Sequence, residues 1–116
     1  METKSFIIIL VTLGLLASCA QMNPHPMDMT NAIQNAKTSG DHNALAQHYE
    51  DVARDMNTKV QEHKKLLNEY ETHPYYGKRA QDLKAHCEVL IRSYRQAAEA
   101  NMSMAKIHRQ MAEEAK

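Results

Sequence analysis

The chain has few of the residues that build sheets, tight turns and large cores. Its 116 residues include 3 Gly, 3 Pro, 1 Phe and no Trp, and aromatic residues make up 5% of the sequence. Because strands are rich in aromatic residues and turns in Gly and Pro, this composition disfavours an all-β fold and favours helices. The core must then be built from Leu, Ala, Met and Val with a few Tyr.

A surplus of positive charge is also missing. The sequence contains 14 Lys and Arg residues against 14 Asp and Glu residues, which gives a formal net charge of zero. Proteins that bind nucleic acid or anionic membrane surfaces by electrostatic attraction carry a basic excess. We therefore expect no nucleic-acid partner.

The motifs of common enzymes are absent as well. The sequence has no Cys-x-x-Cys-His, His-Glu-x-x-His, P-loop or Gly-x-Ser-x-Gly segment. A di-iron bundle requires Glu-x-x-His pairs, but the positions three residues before four of the histidines hold Leu45, Val60, Leu83 and Ala105. Cys87 and His86 could in principle act as a nucleophile and its general base, but the sequence shows no third residue that would orient the histidine. We expect a protein that is not an enzyme and has no catalytic residues.

The N-terminus carries a targeting signal. Lys4 precedes an uncharged apolar run from Phe6 to Leu16, and the small residues Ala17 and Ser18 lead to Cys19. A helix of about 11 residues spans roughly 16 Å, which is too short for a bilayer core, so the run indicates a cleaved signal peptide. The alternative is an ordinary secretory signal in which the cysteine is incidental.

The segment Leu16-Ala17-Ser18-Cys19 resembles the lipobox of bacterial lipoproteins. The resemblance implies that residues 1–18 are removed and that Cys19 carries covalent lipid on its sulfur and amine. Ala20, in place of Asp, is similar to the outer-membrane class, which places the protein in the cell envelope, facing the periplasm. The chain as a whole is similar to small helical lipoproteins of proteobacteria, a resemblance that implies no activity.

The mature chain divides into a tether and one helical domain. Residues 19–29 form the lipidated N-terminus and tether, because Pro24 and Pro26 oppose regular structure. Residues 30–116 form the domain. Thr30 is expected to begin a short helix that ends near Lys37, and Asp41 is expected to be the N-cap of the next helix.

Two long helices follow, separated by a break around Pro74 and Gly77. Apolar residues at steps of three and four mark one stripe in each helix. The first stripe contains Leu45, Tyr49, Val52, Met56, Val60, His63, Leu67 and Tyr70, and the second contains Leu83, Cys87, Leu90, Tyr94, Ala97, Asn101, Met104, His108 and Met111. The pattern predicts an all-α antiparallel two-helix hairpin with a short preceding helix. Since one hairpin buries little surface, self-association could complete a bundle.

Histidine and cysteine supply the candidate ligands. With the turn centred near Tyr75, antiparallel pairing places His63 opposite Cys87 with His86 beside it, and His42 opposite His108. Imidazole, thiolate and thioether groups favour copper, and zinc also suits His and Cys. The competing interpretation is structural, with the histidines partly buried and bonded to neighbours and the methionines filling the core.

Three functions remain open from the sequence. The first is a membrane-anchored, periplasm-facing interaction or structural module whose partner is a second copy or another envelope protein. The second is a copper- or zinc-binding lipoprotein that uses His42, His63, His86, Cys87 and His108. The third is an envelope redox or stress sensor, because lipid on Cys19 would leave Cys87 without a partner for a disulfide in the same chain.

Overall fold

The predicted helical hairpin is confirmed. A computed structural model of the protein describes residues 27–73 and 76–116, and within those residues every regular element is a helix. Helix α1 spans Met29–Asn35, α2 spans Ser39–Thr72 and α3 spans Arg79–Glu114. The two long helices pack against each other in opposite directions, and α1 contacts only α2. The predicted signal peptide, Cys19 and most of the tether lie outside the described residues.

Local capping sets the start of each of the first two helices. Helix α1 begins after Asp28, whose carboxylate accepts a hydrogen bond from the backbone N–H of Asn31 at 3.1 Å. Helix α2 begins after Thr38, whose hydroxyl accepts from the backbone N–H of Asp41 at 3.1 Å. The predicted caps, Thr30 and Asp41, were wrong, because each lies inside the helix that it was expected to begin.

Asp41 still stabilises the start of α2, from the third helical position. Its carboxylate accepts hydrogen bonds from the backbone N–H groups of Lys37 and Thr38, which completes a reciprocal capping box. These bonds, with a third from the Thr38 hydroxyl, lower the pKa of Asp41 from 3.8 to about 2. Asp41 therefore stays ionised in the folded protein throughout the neutral and mildly acidic range.

The turn follows the predicted break. Helix α2 ends at Thr72, and the backbone N–H of His73 bonds to the Glu69 carbonyl. Gly77 has φ of +53°, the left-handed conformation that glycine adopts without strain. The chain can therefore reverse direction here and begin α3 at Arg79.

The inner face of α2 was predicted in part. Leu45 and Val60 are buried as predicted, and the other members of the predicted stripe are half-buried. The remaining buried residues of this face, His42, Ala46 and Ala53, were not in the predicted stripe. The residues that face α3 thus recur at alternating steps of four and three, as in a coiled coil.

The inner face of α3 differs from the predicted stripe. Leu90, Met104 and Met111 were expected in the core, but each is exposed by more than a third. The positions that turn inward beside Cys87 and His108 are instead Ile91, Ala98, Ala105 and Ala112. The inward stripe is therefore displaced by one residue from the predicted one at these levels.

Small side chains explain the displacement. Most of the buried apolar positions are alanines, and Leu45 is the only large side chain in the described residues that is fully buried. Alanines at every seventh position of α3 let the two helices approach closely, since the distance between helix axes depends on the side chains at the contact. The close approach leaves the larger Leu and Met residues at the rim of the interface.

The search for membrane-spanning segments covered only the described residues. Among them, no helix has a stretch that is both long and apolar enough to cross a bilayer.

Candidate functional site

Two buried histidines meet at the open end of the hairpin. His42 lies near the start of α2 and His108 near the end of α3, and their side chains are held together by the antiparallel packing. The two Nδ1 atoms are 3.3 Å apart, and the rings stack with centroids 5.5 Å apart. The residues are only 8% and 9% exposed. The sequence prediction that His42 lies opposite His108 is confirmed.

Tyr49 fixes the orientation of this pair. Its ring lies almost parallel to the His108 ring, with an angle of 9° between the planes and centroids 5.6 Å apart. His48 packs edge-on against Tyr49. Burial, and then the proximity of His42, lower the pKa of His108 below its usual 6.5. His108 therefore binds a proton less readily than it would in the unfolded chain.

A charged cluster lies beside the pair on one edge of the hairpin. The Arg109 guanidinium donates to both oxygens of Glu50, at 3.1 and 2.9 Å, and to Asn43 Oδ1 at 2.8 Å. This two-pronged geometry joins α3 to α2, and the hydrogen bonds to Glu50 raise the pKa of Arg109. We call Asn43, Glu50 and Arg109 the polar edge. Its charges are balanced within the hairpin.

The predicted cluster of His63, His86 and Cys87 does not form. His63 stacks on Tyr94, with ring centroids 5.5 Å apart, while His86 is exposed and Cys87 is buried. Adjacent residues on a helix point about 100° apart, so His86 and Cys87 face different surroundings. In residues 27–73 and 76–116, no group of three or more His, Cys, Asp or Glu side chains is arranged to hold a metal ion.

His63 nevertheless has an unusual environment. Its Nδ1 is buried and lacks a hydrogen-bond partner. In the described part of the chain, this is the only buried side-chain N or O atom without one. An unpaired buried polar atom costs stability. Stacking on Tyr94 offsets part of this cost through ring contact.

Cys87 does not have the environment of a reactive thiol. The residue is 5% exposed, and burial raises the pKa of its thiol. Because the thiolate is the nucleophile, a buried neutral thiol reacts slowly with oxidants and with other thiols. Both properties oppose the role of redox sensor, which requires an exposed and reactive cysteine.

The edge opposite the polar edge is apolar. On α3, Leu90, Met104 and Met111 recur at multiples of seven residues and are 37%, 40% and 39% exposed, and Ile107 beside them is 50% exposed. Helical spacing places Leu66 of α2, 41% exposed, on the same edge. We call Leu66, Leu90, Met104, Ile107 and Met111 the apolar edge. Exposed apolar side chains along one side of a helix are a candidate interaction surface.

Sequence reasoning missed the polar edge and the role of Tyr49. Tyr49 was assigned to the inner stripe, but its stacking on His108 depends on the exact register of the two helices. Arg109 and Glu50 are 59 positions apart, so no local spacing signals their contact. Once the contact between His42 and His108 sets the register of the two helices, the positions of Tyr49, Glu50 and Arg109 relative to each other follow.

Comparison with known proteins adds no relative: no family model, no curated protein and no solved structure matches the chain.

Proposed function

We propose that the chain is a lipid-anchored, non-enzymatic interaction module of the bacterial envelope, and that the apolar edge is its contact surface. The observation that carries this proposal is the exposure of Leu90, Met104, Ile107 and Met111 along one side of α3. A helix normally buries its apolar stripe. Here α3 has apolar side chains beyond those that α2 covers.

The anchor rests on the sequence. Lys4, the apolar run and Leu16-Ala17-Ser18-Cys19 together support lipidation at Cys19, with the hairpin held close to the membrane by the tether of residues 19–29. The outer membrane, facing the periplasm, is the location that Ala20 favours. Confinement to a surface raises the local concentration of the hairpin and so favours assembly.

The partner that we infer is a second copy of the chain. The hairpin alone buries one large side chain completely and otherwise mainly alanines, and a domain of this size with so thin a core needs additional burial. Burying a half-exposed Leu, Ile or Met contributes about 1 kcal/mol. A second copy is present whenever the first is made, and pairing of two apolar edges would yield a four-helix bundle.

Chemical cross-linking in the envelope tests this proposal. The full chain is expressed in a bacterial host, treated with an amine-reactive cross-linker and analysed by denaturing gel. We expect a dimer band for the wild type and its loss in the Met104→Glu/Ile107→Glu variant, because burying two carboxylates opposes pairing.

The matched control is Gln81→Glu/Arg95→Gln, which lowers the net charge by the same two units at exposed positions of α3 that lie 28 and 14 residues before Arg109, on the polar-edge side. This control should retain the dimer band. A wild-type chain that gives only monomer would refute self-association. Equal loss of the band in both double variants would show that charge, and not the apolar edge, controls assembly.

A further inference from the structure

The histidine pair is the polar part of an otherwise apolar core. Among the described residues, His42 and His108 are the only buried side chains that are polar. Burying an imidazole costs free energy unless its nitrogen atoms are paired. Apolar residues at these two positions would extend the row of buried alanines between the helices without this cost. The packing of the hairpin therefore does not by itself require two histidines here.

The separation of the two Nδ1 atoms suits a shared ligand. It is 3.3 Å, which a single N–H···N hydrogen bond can span. Zinc binds imidazole nitrogen at about 2.0–2.1 Å with tetrahedral angles, so two of its nitrogen ligands lie about 3.3 Å apart. The distance between the two atoms therefore matches either one shared proton or one metal ion bound by both.

Both imidazoles can become ligands without losing a net proton. In the neutral pair, one ring carries its proton on Nδ1 and donates it to the other ring. Movement of that proton to Nε2 of the same ring frees the second Nδ1 lone pair. Neither Nε2 is a buried atom without a partner, so each can carry a proton while both Nδ1 atoms bind.

The surroundings hold the pair in place for binding. Tyr49 stacks on His108 and restrains its ring plane. Arg109, the nearest cation in sequence, is bound to Glu50 and Asn43, so its charge is offset on the polar edge. Oriented and restrained ligands reduce the entropy lost on metal binding.

We propose that His42 and His108 form a two-histidine binding site for a divalent late transition metal ion, zinc(II) or copper(II), with the two Nδ1 atoms as ligands. Imidazole is a preferred ligand of both ions. With two protein ligands, the remaining coordination positions take water, and the ion exchanges readily. This proposal does not depend on the apolar edge or on self-association.

Calorimetric titration with zinc chloride tests the site. The full chain is purified in detergent, freed of metal with a chelator and titrated at neutral pH. We expect one zinc ion per chain with a dissociation constant below about 1 mM. His42→Gln and His108→Gln should each weaken binding by at least about tenfold, since even outer partners of metal ligands contribute that much.

His86→Gln is the control, because His86 is exposed on α3 and far from the pair in sequence. It should bind zinc like the wild type. Absence of binding by the wild type, or equal affinity in His42→Gln and wild type, would overturn the proposal. Should a variant lose its helical circular dichroism, nitrogen NMR of the wild type decides: zinc must shift the Nδ1 resonances of His42 and His108, and an unshifted pair would overturn the assignment.

Discussion

At the scale of single residues, the histidine pair shows what a sequence can predict about a contact. A turn predicted from the sequence around Pro74 and Gly77, with antiparallel helices, places His42 opposite His108, and the contact between the two rings confirms this. His63 was expected to form a group of ligands with His86 and Cys87, but its ring stacks on Tyr94 and no such group forms in the described residues. Counting residues outward from the turn predicts which positions of the two helices lie side by side, to within about one helical turn. Which ring meets which depends on side-chain packing, and the sequence does not specify this.

The lowered pKa of His108 predicts a pH-dependent stability. Because the folded protein binds this proton less readily than the unfolded chain, the stabilising contribution is complete above the usual pKa of 6.5 and is lost as the pH falls below it. Urea unfolding at about pH 7.5 and 5.5 measures the change. We expect lower stability at the acidic value and a smaller difference in His108→Gln. His86→Gln is the control, and an unchanged difference in His108→Gln would contradict the account.

The capping box gives a second prediction at this scale. Thr38→Ala removes the acceptor for the Asp41 backbone N–H and should lower the free energy of unfolding by about 1 kcal/mol. The same substitution at Thr58, exposed in the middle of α2, should have little effect or stabilise slightly, since Ala favours helix. Chemical denaturation of both variants measures the difference. Equal stability of the two would show that the cap contributes nothing.

At the scale of the helices, both inner faces were predicted in part. On α2 two of the predicted large residues are buried, but so are Ala46 and Ala53, which the predicted stripe left out. On α3 alanines at every seventh position face inward while Met104 and Met111 lie at the rim. Hydrophobicity favours Met over Ala as a core residue. The energetic gain from close packing of small residues has no comparable signal in a single sequence.

The buried alanines between the helices should tolerate replacement by Leu much less well than an exposed alanine does. Ala105 is 1% exposed, and Ala105→Leu should destabilise the hairpin by about 1–3 kcal/mol, because the added methyl and methylene groups force the helices apart. Ala85 is exposed on the same helix, and Ala85→Leu should change stability by less than about 0.5 kcal/mol. Thermal unfolding followed by circular dichroism compares them. A tolerated Ala105→Leu would indicate a looser interface.

At the scale of the whole molecule, the proposal joins an anchor at one end to a contact surface along the side. Cys19→Ala should move the protein from the membrane fraction to the soluble fraction after cell lysis, because the acyl chains supply the membrane affinity. Cys87→Ala, which alters a buried thiol, should leave the distribution unchanged. Immunoblots of the two fractions measure both. Retention of Cys19→Ala in the membrane would contradict the lipid anchor.

The proposed anchor would also constrain how two copies pair. Two hairpins tethered by their N-termini to the same membrane face point in the same direction, so the two-fold axis of a dimer runs along the hairpins and each apolar edge meets its own equivalent. Met104 of one chain then lies opposite Met104 of the other. Arg95 is exposed on the same helix and lies 14 residues before Arg109 on the polar-edge side, so it does not meet its equivalent.

Disulfide trapping of this arrangement tests the central claim most directly. Met104→Cys and Arg95→Cys are introduced separately into the full chain, and cells are oxidised before analysis on a non-reducing gel. The account predicts a disulfide-linked dimer for Met104→Cys and none above the wild-type background for Arg95→Cys. Monomer alone for Met104→Cys, or equal dimer for both variants, would contradict pairing through the apolar edge.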